Sequence, residues 1–222
     1  MTPADPKQTL TFQQVQDAGL DDWRMLFSAL HARFRTGDFA TGLELVNRIG
    51  RDAEELNHHP DLDLRYPHLN VRLTSHDVGG VSSRDLELAR RTSAYATDLG
   101  ASADPSAVSV LEIGLDTADA DAIRPFWRAV LGLTDSTLAD GELGDGDGAL
   151  PTLWFQQTQP HDEPRQRFHL DVRVPAEEAA GRIAAALAAG GVLVSDERAP
   201  RCTVLADAQG NKACVTTGLG RD

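Results

Sequence analysis

One amphipathic helix dominates the hydrophobic pattern of the first half. Apolar residues recur every three or four positions and form a single face from Phe39 to Leu56. Shorter helices are predicted on either side, one capped by Thr11 and one opened by the capping box Ser82-Ser83-Arg84-Asp85. Because a proline disfavours helical conformation in the residue before it, Pro60 must follow the end of the central helix.

Strand patterns are less uniform. Leu69, Val71 and Leu73 alternate with polar residues, which is typical of a strand with one solvated face. The segment from Trp23 to Arg35 carries two periods at once, because some of its apolar residues fit a helical stripe and others alternate as in a strand. Periodicity alone leaves both assignments open there.

The second half repeats one order of elements, namely a strand, a helix and about three further strands. The first copy begins at Val108 and has its helical stripe at Ile123–Leu131. The second copy begins at Phe168 and has its helix at Ala176–Ala189. The small, polar stretch TDLGASADPSA lies before the first copy and has no apolar period. We therefore predict two domains, 1–98 and 108–222, joined by a linker at 99–107.

Length and charge narrow the possible functions. The chain has 222 residues, enough for two domains of about 100 residues that each bury a core. Its formal net charge of −13 argues against a nucleic-acid partner, since affinity for phosphate backbones rests on clustered Lys and Arg. A small-molecule substrate is expected instead.

The sequence also predicts the cellular compartment of the protein. The start, MTPADPKQTL, has neither the basic residues nor the apolar run of a signal peptide, and no window is long and apolar enough for a membrane span. Cys202 and Cys214 are too few for a disulfide framework, which favours a reducing compartment. We expect a cytoplasmic protein without a membrane partner.

Candidate acid–base residues extend from the end of the central helix to the start of the next one. In chain order they are Glu54, His58, His59, Pro60, Tyr66, His76 and Asp85. Taken singly, Asp85 can be explained by helix capping alone, and Tyr66 can be explained by a place in the core alone. Imidazoles, however, can donate or accept a proton at neutral pH, so several of them in order favour proton-transfer chemistry. Zinc is disfavoured there, since adjacent histidines do not easily point both rings at one ion and no cysteine lies nearby.

The spacing of these residues resembles that of the pterin-4a-carbinolamine dehydratases. The runs SHDVGG and RDLELA resemble the same family, and the likeness extends over residues 8–98. The resemblance implies an α+β domain with a four-stranded antiparallel sheet and three helices on one face. It therefore implies that Trp23–Arg35 forms two strands.

The resemblance also implies an activity, the dehydration of a 4a-hydroxytetrahydropterin to the quinonoid dihydropterin without a cofactor. It implies that His58, His59 and His76 line the site. His58 and His76 are expected to be the acid–base pair, and His59 is expected to contact the hydroxyl side. The residues expected to support the site are Glu54, Pro60, Tyr66 and Asp85, with Glu54 holding an imidazole. Leu62 departs from the family, because many members carry Trp there as a wall of the pterin pocket.

The second half resembles the glyoxalase/bleomycin-resistance group, the vicinal-oxygen-chelate superfamily, over residues 108–218. The runs that carry the likeness are FWRAVLGL, RFHLDVRV and DAQGNKACV. The resemblance implies paired βαβββ modules that form an open barrel. Metal-binding members take ligands from the first and last strand of each module, which implies the candidates Glu112, Gln156, His169 and Cys214.

Two details of that ligand set leave two alternatives, a metal site and an apolar pocket without metal. Trp154, the alternative to Gln156, is no ligand, and Cys214 stands where metalloenzymes of the group usually carry Glu. The set therefore mixes hard and soft donors. The run DGELGDGDG lacks the ordered ligands of a calcium loop and is predicted to be a hairpin loop.

The sequence thus predicts a fusion of a pterin dehydratase, acting on a pterin substrate, with a glyoxalase-like domain of unknown substrate. Both families commonly associate, so a homo-oligomer is expected. One alternative is a protein that binds small molecules or regulates a partner. Another is a metal-dependent lyase or dioxygenase that acts through the second domain.

Overall fold

The computed structural model describes residues 7–121, 123–124, 133–136, 141–145, 150–160, 168–188, 190–206 and 212–220. The chain forms two compact units, one reaching Val108 and the other beginning at Ser109. Among the described residues, every helix is too short or too polar to cross a membrane.

The first unit contains three helices, α1 (Phe12–Asp17), α2 (Phe39–Leu56) and α3 (Ser83–Asp98). The predicted caps are confirmed: Thr11 and Ser82 each form a capping box, with Gln14 and Asp85 as the respective partners. Asp38 caps α2 by accepting a hydrogen bond from the Thr41 N–H. These caps satisfy N–H groups that have no partner inside the helix.

The sheet of the first unit is antiparallel. Its strands are β1 (Arg24–Leu26), β2 (Ala29–Arg35), β3 (Asp61–Arg65), β4 (His68–Leu73) and β5 (Ser102–Ala103). Four of them follow the order β1-β2-β4-β3, and β5 pairs with β2. The family-based expectation of two strands in Trp23–Arg35 is confirmed. Within the stretch predicted to be the linker, residues 102–103 belong to this sheet and Pro105–Ala107 forms a 3₁₀ turn.

Strand alternation divides this sheet into an apolar and a polar face. Phe34, Leu69 and Val71 point into a core shared with Leu45 of α2 and Leu88 of α3. Each such buried side chain contributes about 1.5–3 kcal/mol relative to exposure. The opposite face carries the polar residues of the same strands, so the helices all cover one side.

The second unit contains one eight-stranded sheet. Its strands are β6 (Val110–Thr117), β7 (Thr134–Asp135), β8 (Leu143–Gly144), β9 (Thr152–Gln157), β10 (Phe168–Arg173), β11 (Val192–Arg198), β12 (Cys202–Ala206) and β13 (Lys212–Thr216), with α4 (Ala176–Ala188) after β10. The order is β11-β12-β13-β10-β6-β9-β8-β7. β6 pairs with β9, and β10 with β13, in parallel, whereas β6 and β10 are antiparallel. Each module therefore has the same strand arrangement, as the expected paired modules require.

The eight strands do not close into a barrel, which agrees with the open form expected. One face packs on two apolar clusters, around Leu115 and Leu153 in the first module and around Val174 and Val215 in the second. The predicted helix at 123–131 lies largely outside the described residues. Of the predicted hairpin loop at 140–148, residues 141–145 are described, and Leu143–Gly144 within it forms β8. The other face of the sheet carries titratable side chains, among them His169 and Asp171.

Candidate functional site

The first two histidines of the predicted site follow the end of α2 directly. Asn57 takes the left-handed conformation, with φ 46° and ψ 46°, and so ends the helix. The His58 N–H still donates to the Ala53 carbonyl at 3.0 Å. This last hydrogen bond ties His58 to the helix end, and Pro60 then leads the chain into β3.

His58 forms a buried pair with Asp85. Its Nε2 lies 2.8 Å from Asp85 Oδ1, and His58 is only 6% exposed. The second carboxylate oxygen accepts hydrogen bonds of 2.7 Å from the Ser75 hydroxyl and from the Ser82 N–H. Burial opposes ionisation, but the hydrogen bonds from His58, Ser75 and Ser82 outweigh it and hold the pKa of the Asp85 carboxyl below its usual value.

His59 lies on the solvent side of the same turn. Its Nε2 is 3.1 Å from Glu54 Oε1, and the two side chains are 57% and 81% exposed. Glu54 therefore contacts His59, and the partner of His58 is Asp85.

His76 lies in a turn that begins at Ser75. The Ser75 carbonyl accepts hydrogen bonds from the N–H groups of Val78 and Gly79, and Ser75 forms an isolated β-bridge with Gly80. His76 is exposed. The Ser75 hydroxyl also donates a hydrogen bond to Asp85, and Asp85 contacts His58. The Asp85 carboxylate therefore connects the turn that contains His76 to His58.

The other predicted residues differ in their placement. Pro60 is half-buried beside the histidines. Tyr66 is 71% exposed and lies at the β3–β4 turn, about 17 Å of strand away from the His59 end, so it is not brought to the histidines. Leu62 packs against the hydrophobic core of the first unit. Its side chain therefore contributes to the packing of that core.

A second group of chemically active side chains lies on the polar face of the second sheet. Nitrogen, oxygen and sulfur atoms of His169, Asp171 and Cys214 lie within 4.8 Å of one another. His169 Nδ1 is 3.2 Å from Asp116 Oδ1. The pKa of the Cys214 thiol is raised by a hydrogen bond with Cys202, by burial and by the charge of Asp171.

Asp171 and Asp116 were not among the candidate ligands. Strand alternation could have identified Asp171, because it is two residues from His169 and so shares its face of β10. Glu112 lies on the neighbouring strand across from Asp171 but is not in the three-residue group among the described residues. Gln156 is half-buried, and its amide donates to the Gln157 carbonyl at 3.3 Å.

The group of three fits a divalent cation. Asp171 Oδ1 is buried and has no hydrogen-bond partner within the described part of the chain, and its distance of 3.7 Å from His169 Nε2 is too long for one. Imidazole, carboxylate and thiolate are all ligands of zinc. If a metal binds, His169, Asp171 and Cys214 would hold it, and it would act there as a Lewis acid.

The structure defines a protein of two compact units, an α+β unit that carries the ordered histidines and a unit of paired strand modules. Over residues 8–95 the chain matches the family model described as Pterin 4 alpha carbinolamine dehydratase. Over residues 112–216 it matches the model described as Glyoxalase-like domain. The chain belongs to the pterin-4a-carbinolamine dehydratase family and carries a glyoxalase-like domain in its second half.

Curated relatives cover the first domain. A protein of Thermosynechococcus vestitus, provisionally named a pterin-4-alpha-carbinolamine dehydratase, is 38% identical over 77 residues, or 35% of this chain and 81% of its own length. A Koribacter versatilis protein with the same provisional name is 36% identical over 86 residues, or 38% of this chain and 92% of its own.

Solved structures resemble each half. A transcriptional coactivator/pterin dehydratase from Brucella melitensis is 30% identical, with a TM-score of 0.39, and the match covers 40% of this chain and 99% of that one. A glyoxalase/bleomycin resistance protein/dioxygenase superfamily member from Vibrio splendidus is 15% identical, with a TM-score of 0.33, and the match covers 50% of this chain and 99% of that one.

Proposed function

We propose that the first unit dehydrates a 4a-hydroxytetrahydropterin to the quinonoid dihydropterin by histidine acid–base catalysis. The supporting observation is the ordered set of His58, His59 and His76, one of which is held by the buried Asp85. In the reaction, a base removes a proton from a ring nitrogen and an acid protonates the departing hydroxyl, which leaves as water. Imidazole can perform either task at neutral pH, and each positioned group accelerates the step by roughly 100- to 10,000-fold.

Exposure favours His59 and His76 as the imidazoles that exchange protons with the substrate. Both are exposed, whereas His58 is nearly covered and has Nε2 engaged with Asp85. From the sequence, His58 and His76 are expected to be the acid–base pair, whereas the burial of His58 favours His59 in place of His58. His58 then lines the site in one fixed orientation, and Glu54 orients His59.

Alanine variants of the two exposed histidines test this assignment. Because neither side chain is buried, His59→Ala and His76→Ala should leave the free energy of unfolding within about 0.5 kcal/mol of wild type. Each should lower kcat for dehydration of a synthetic carbinolamine by about 100-fold or more. His68→Ala, at the far end of β4, is the matched control and should retain the wild-type rate. Wild-type dehydration by His76→Ala would remove His76 from the acid–base pair.

We further propose that the protein works in the cytoplasm as a homo-oligomer, with no cofactor needed for dehydration. Light scattering on the full chain tests the oligomer, which should have a mass that is a multiple of 23.9 kDa. A monomer at micromolar concentration would contradict it.

A further inference from the structure

The two cysteines of the chain lie side by side on neighbouring strands of the second sheet. Cys202 is the first residue of β12, and Cys214 lies in the middle of β13. In the antiparallel register Cys202 pairs with Thr216, and Cys214 pairs with Val204. Each cysteine is therefore two residues from the partner of the other. Because side chains alternate along a strand, both thiols lie on the same face of the sheet as diagonal neighbours.

The two thiols are in contact, and no disulfide joins them. A hydrogen bond connects the Cys202 and Cys214 side chains, and both residues are reduced. A disulfide needs Cβ atoms about 3.5–4.5 Å apart, and diagonal neighbours are somewhat farther apart, so closing the bond requires a small local movement. Cys202 is well placed for it, because it begins its strand and the register of β11 against β12 shifts beside it, between Ser195 and Arg198.

The two thiols differ in their access to solvent. Cys202 is half-buried, whereas Cys214 is buried and only 6% exposed. A dissolved oxidant therefore reaches Cys202 first, and Cys214 lies next to the sulfur that has reacted. An accessible cysteine with a second cysteine beside it is the usual arrangement for reversible thiol oxidation, because the second thiol can displace the group added to the first.

We propose that Cys202 and Cys214 are a reversible oxidation site, which a low-molecular-weight disulfide of the glutathione type converts to an internal disulfide in the folded protein. The Cys202 sulfur attacks one sulfur of the small disulfide, whose S–S bond breaks, and the departing thiolate takes up the proton that Cys202 has lost. The Cys214 sulfur then attacks Cys202 in the mixed disulfide, loses its own proton and displaces the second small thiol. The chain loses two hydrogens, and the small disulfide is reduced to two thiols. This inference concerns the second unit and is independent of the proposed dehydratase.

Closing this disulfide changes the polar face of the second sheet. The Cys214 side chain is also hydrogen-bonded with the Asp171 carboxylate, and a sulfur in a disulfide has no hydrogen to donate. Asp171 Oδ1 already lacks a hydrogen-bond partner within the described residues, so oxidation weakens the support of a buried carboxylate. That loss opposes oxidation and makes the bond easy to reduce again, as is typical of disulfides that form transiently in a reducing compartment.

Redox titration of the full chain tests the pair. Reduced protein is equilibrated without oxygen in buffers of rising glutathione disulfide to glutathione ratio, quenched with acid and alkylated in denaturant. Intact-mass spectrometry then counts the alkylated cysteines, of which the chain has two. Wild type should pass from two to none, without bound glutathione or a cross-link between chains, and should return to two on reduction with dithiothreitol. A wild type that keeps both thiols at every ratio, accumulates the glutathione adduct instead, or cross-links only between chains overturns the proposal.

Variants test the role of each cysteine and the geometry. Cys214→Ser should stop at a Cys202–glutathione adduct, and Cys202→Ser should react about tenfold more slowly or less, because buried thiols are inert. The matched control is the double variant Cys202→Ser with Thr203→Cys, which moves the thiol by one residue to the opposite, buried side of β12. It should stay reduced at the ratios that close wild type. Closure of the control as readily as wild type would show that the bond does not depend on neighbouring positions on the sheet, and would overturn the proposal. Circular dichroism reports the fold of each variant, and the wild-type titration decides the question where a variant unfolds.

Discussion

At the scale of single residues, Asp85 links the stability of the first unit to its candidate chemistry. One carboxylate caps α3 through the Ser82 N–H, accepts from Ser75 and holds His58. Its place in a capping box is evident from the sequence. Its contact with His58 is not, because the two residues are 27 positions apart and only the packing of α3 against the end of α2 brings them together.

Replacing Asp85 should therefore lower the free energy of unfolding. Asp85→Asn removes the charge and weakens three buried hydrogen bonds, so we expect a loss of about 1–3 kcal/mol in the free energy of unfolding at pH 7. The exposed Asp77, which pairs with Arg84 at the surface, is the control, and Asp77→Asn should cost less than about 1 kcal/mol. Urea denaturation measures both, and equal stability of Asp85→Asn and wild type would contradict the structural role.

The pH dependence of this loss has a definite sign. The pKa of Asp85 is lowered in the folded protein, so its stabilising contribution is present above about pH 4 and is lost as the pH falls through the folded-state pKa. The stability gap between wild type and Asp85→Asn should shrink below pH 4. A gap that stays constant into strong acid would show that the charge is not involved.

His31 on β2 should give the stability of the first unit a second dependence on pH. Burial, with the nearby Arg72, lowers its pKa from 6.5 to about 4, and Asp61 opposes the shift only in part. The unfolded chain therefore takes up the proton first, and stability should fall by about 2 kcal/mol as the pH drops from about 6.5 to 4. His31→Gln should lack this component when both proteins are unfolded by urea across that range. Parallel pH profiles for the two proteins would contradict the lowered pKa.

At the scale of elements, the helix end before His58 positions the candidate site. The bounds of α2, Phe39–Leu56, follow from its apolar period and from Pro60. The two strands in Trp23–Arg35 did not follow from periodicity, since the same apolar residues fit a helix and a strand, and only pairing with β4 decides between them. The position of Tyr66 likewise depends on the β3–β4 pairing, which the residue pattern does not specify.

Asn57 offers a test of this helix end. Its left-handed conformation suits Asn and Gly, whereas a β-branched residue is strained there, and the left-handed region costs ordinary residues about 1–2 kcal/mol. We expect Asn57→Gly to keep wild-type stability and dehydration. Asn57→Val should lose about 1–2 kcal/mol and slow dehydration, because His58 and His59 follow directly. Identical behaviour of the two variants in urea denaturation and rate assays would contradict this.

At the scale of the whole molecule, most of the order of elements was predictable, because the resemblance of each half to a known family implies an order of helices and strands. The extent of the first domain was not, since TDLGASADPSA has no apolar period and yet contains β5. Pairing with β2 gives this short segment its structure, and the Arg35–Asp104 ion pair supports it. Asp171 was missed for a related reason, since the resemblance directed attention to one residue per strand.

Truncation tests the extent of the first domain. We propose that residues 1–108 fold alone and retain dehydratase activity, whereas a fragment ending at residue 98 loses β5 and about 2 kcal/mol, given that each hydrogen bond contributes about 0.5–1.5 kcal/mol. Asp104→Ala in the longer fragment is the control and should cost less than about 1 kcal/mol, because its ion pair is partly exposed. Thermal denaturation compares the three, and equal stability of both fragments would place the boundary at residue 98.

The most direct measurement of the central proposal is stopped-flow dehydration of a synthetic 4a-carbinolamine by wild type and His58→Ala, with His59→Ala alongside. Wild type should accelerate the reaction well above the buffer rate. His58→Ala should lose most of that acceleration together with some stability, and His59→Ala should lose it with the fold intact. No acceleration by wild type, or full acceleration by both variants, would contradict histidine acid–base dehydration in the first unit.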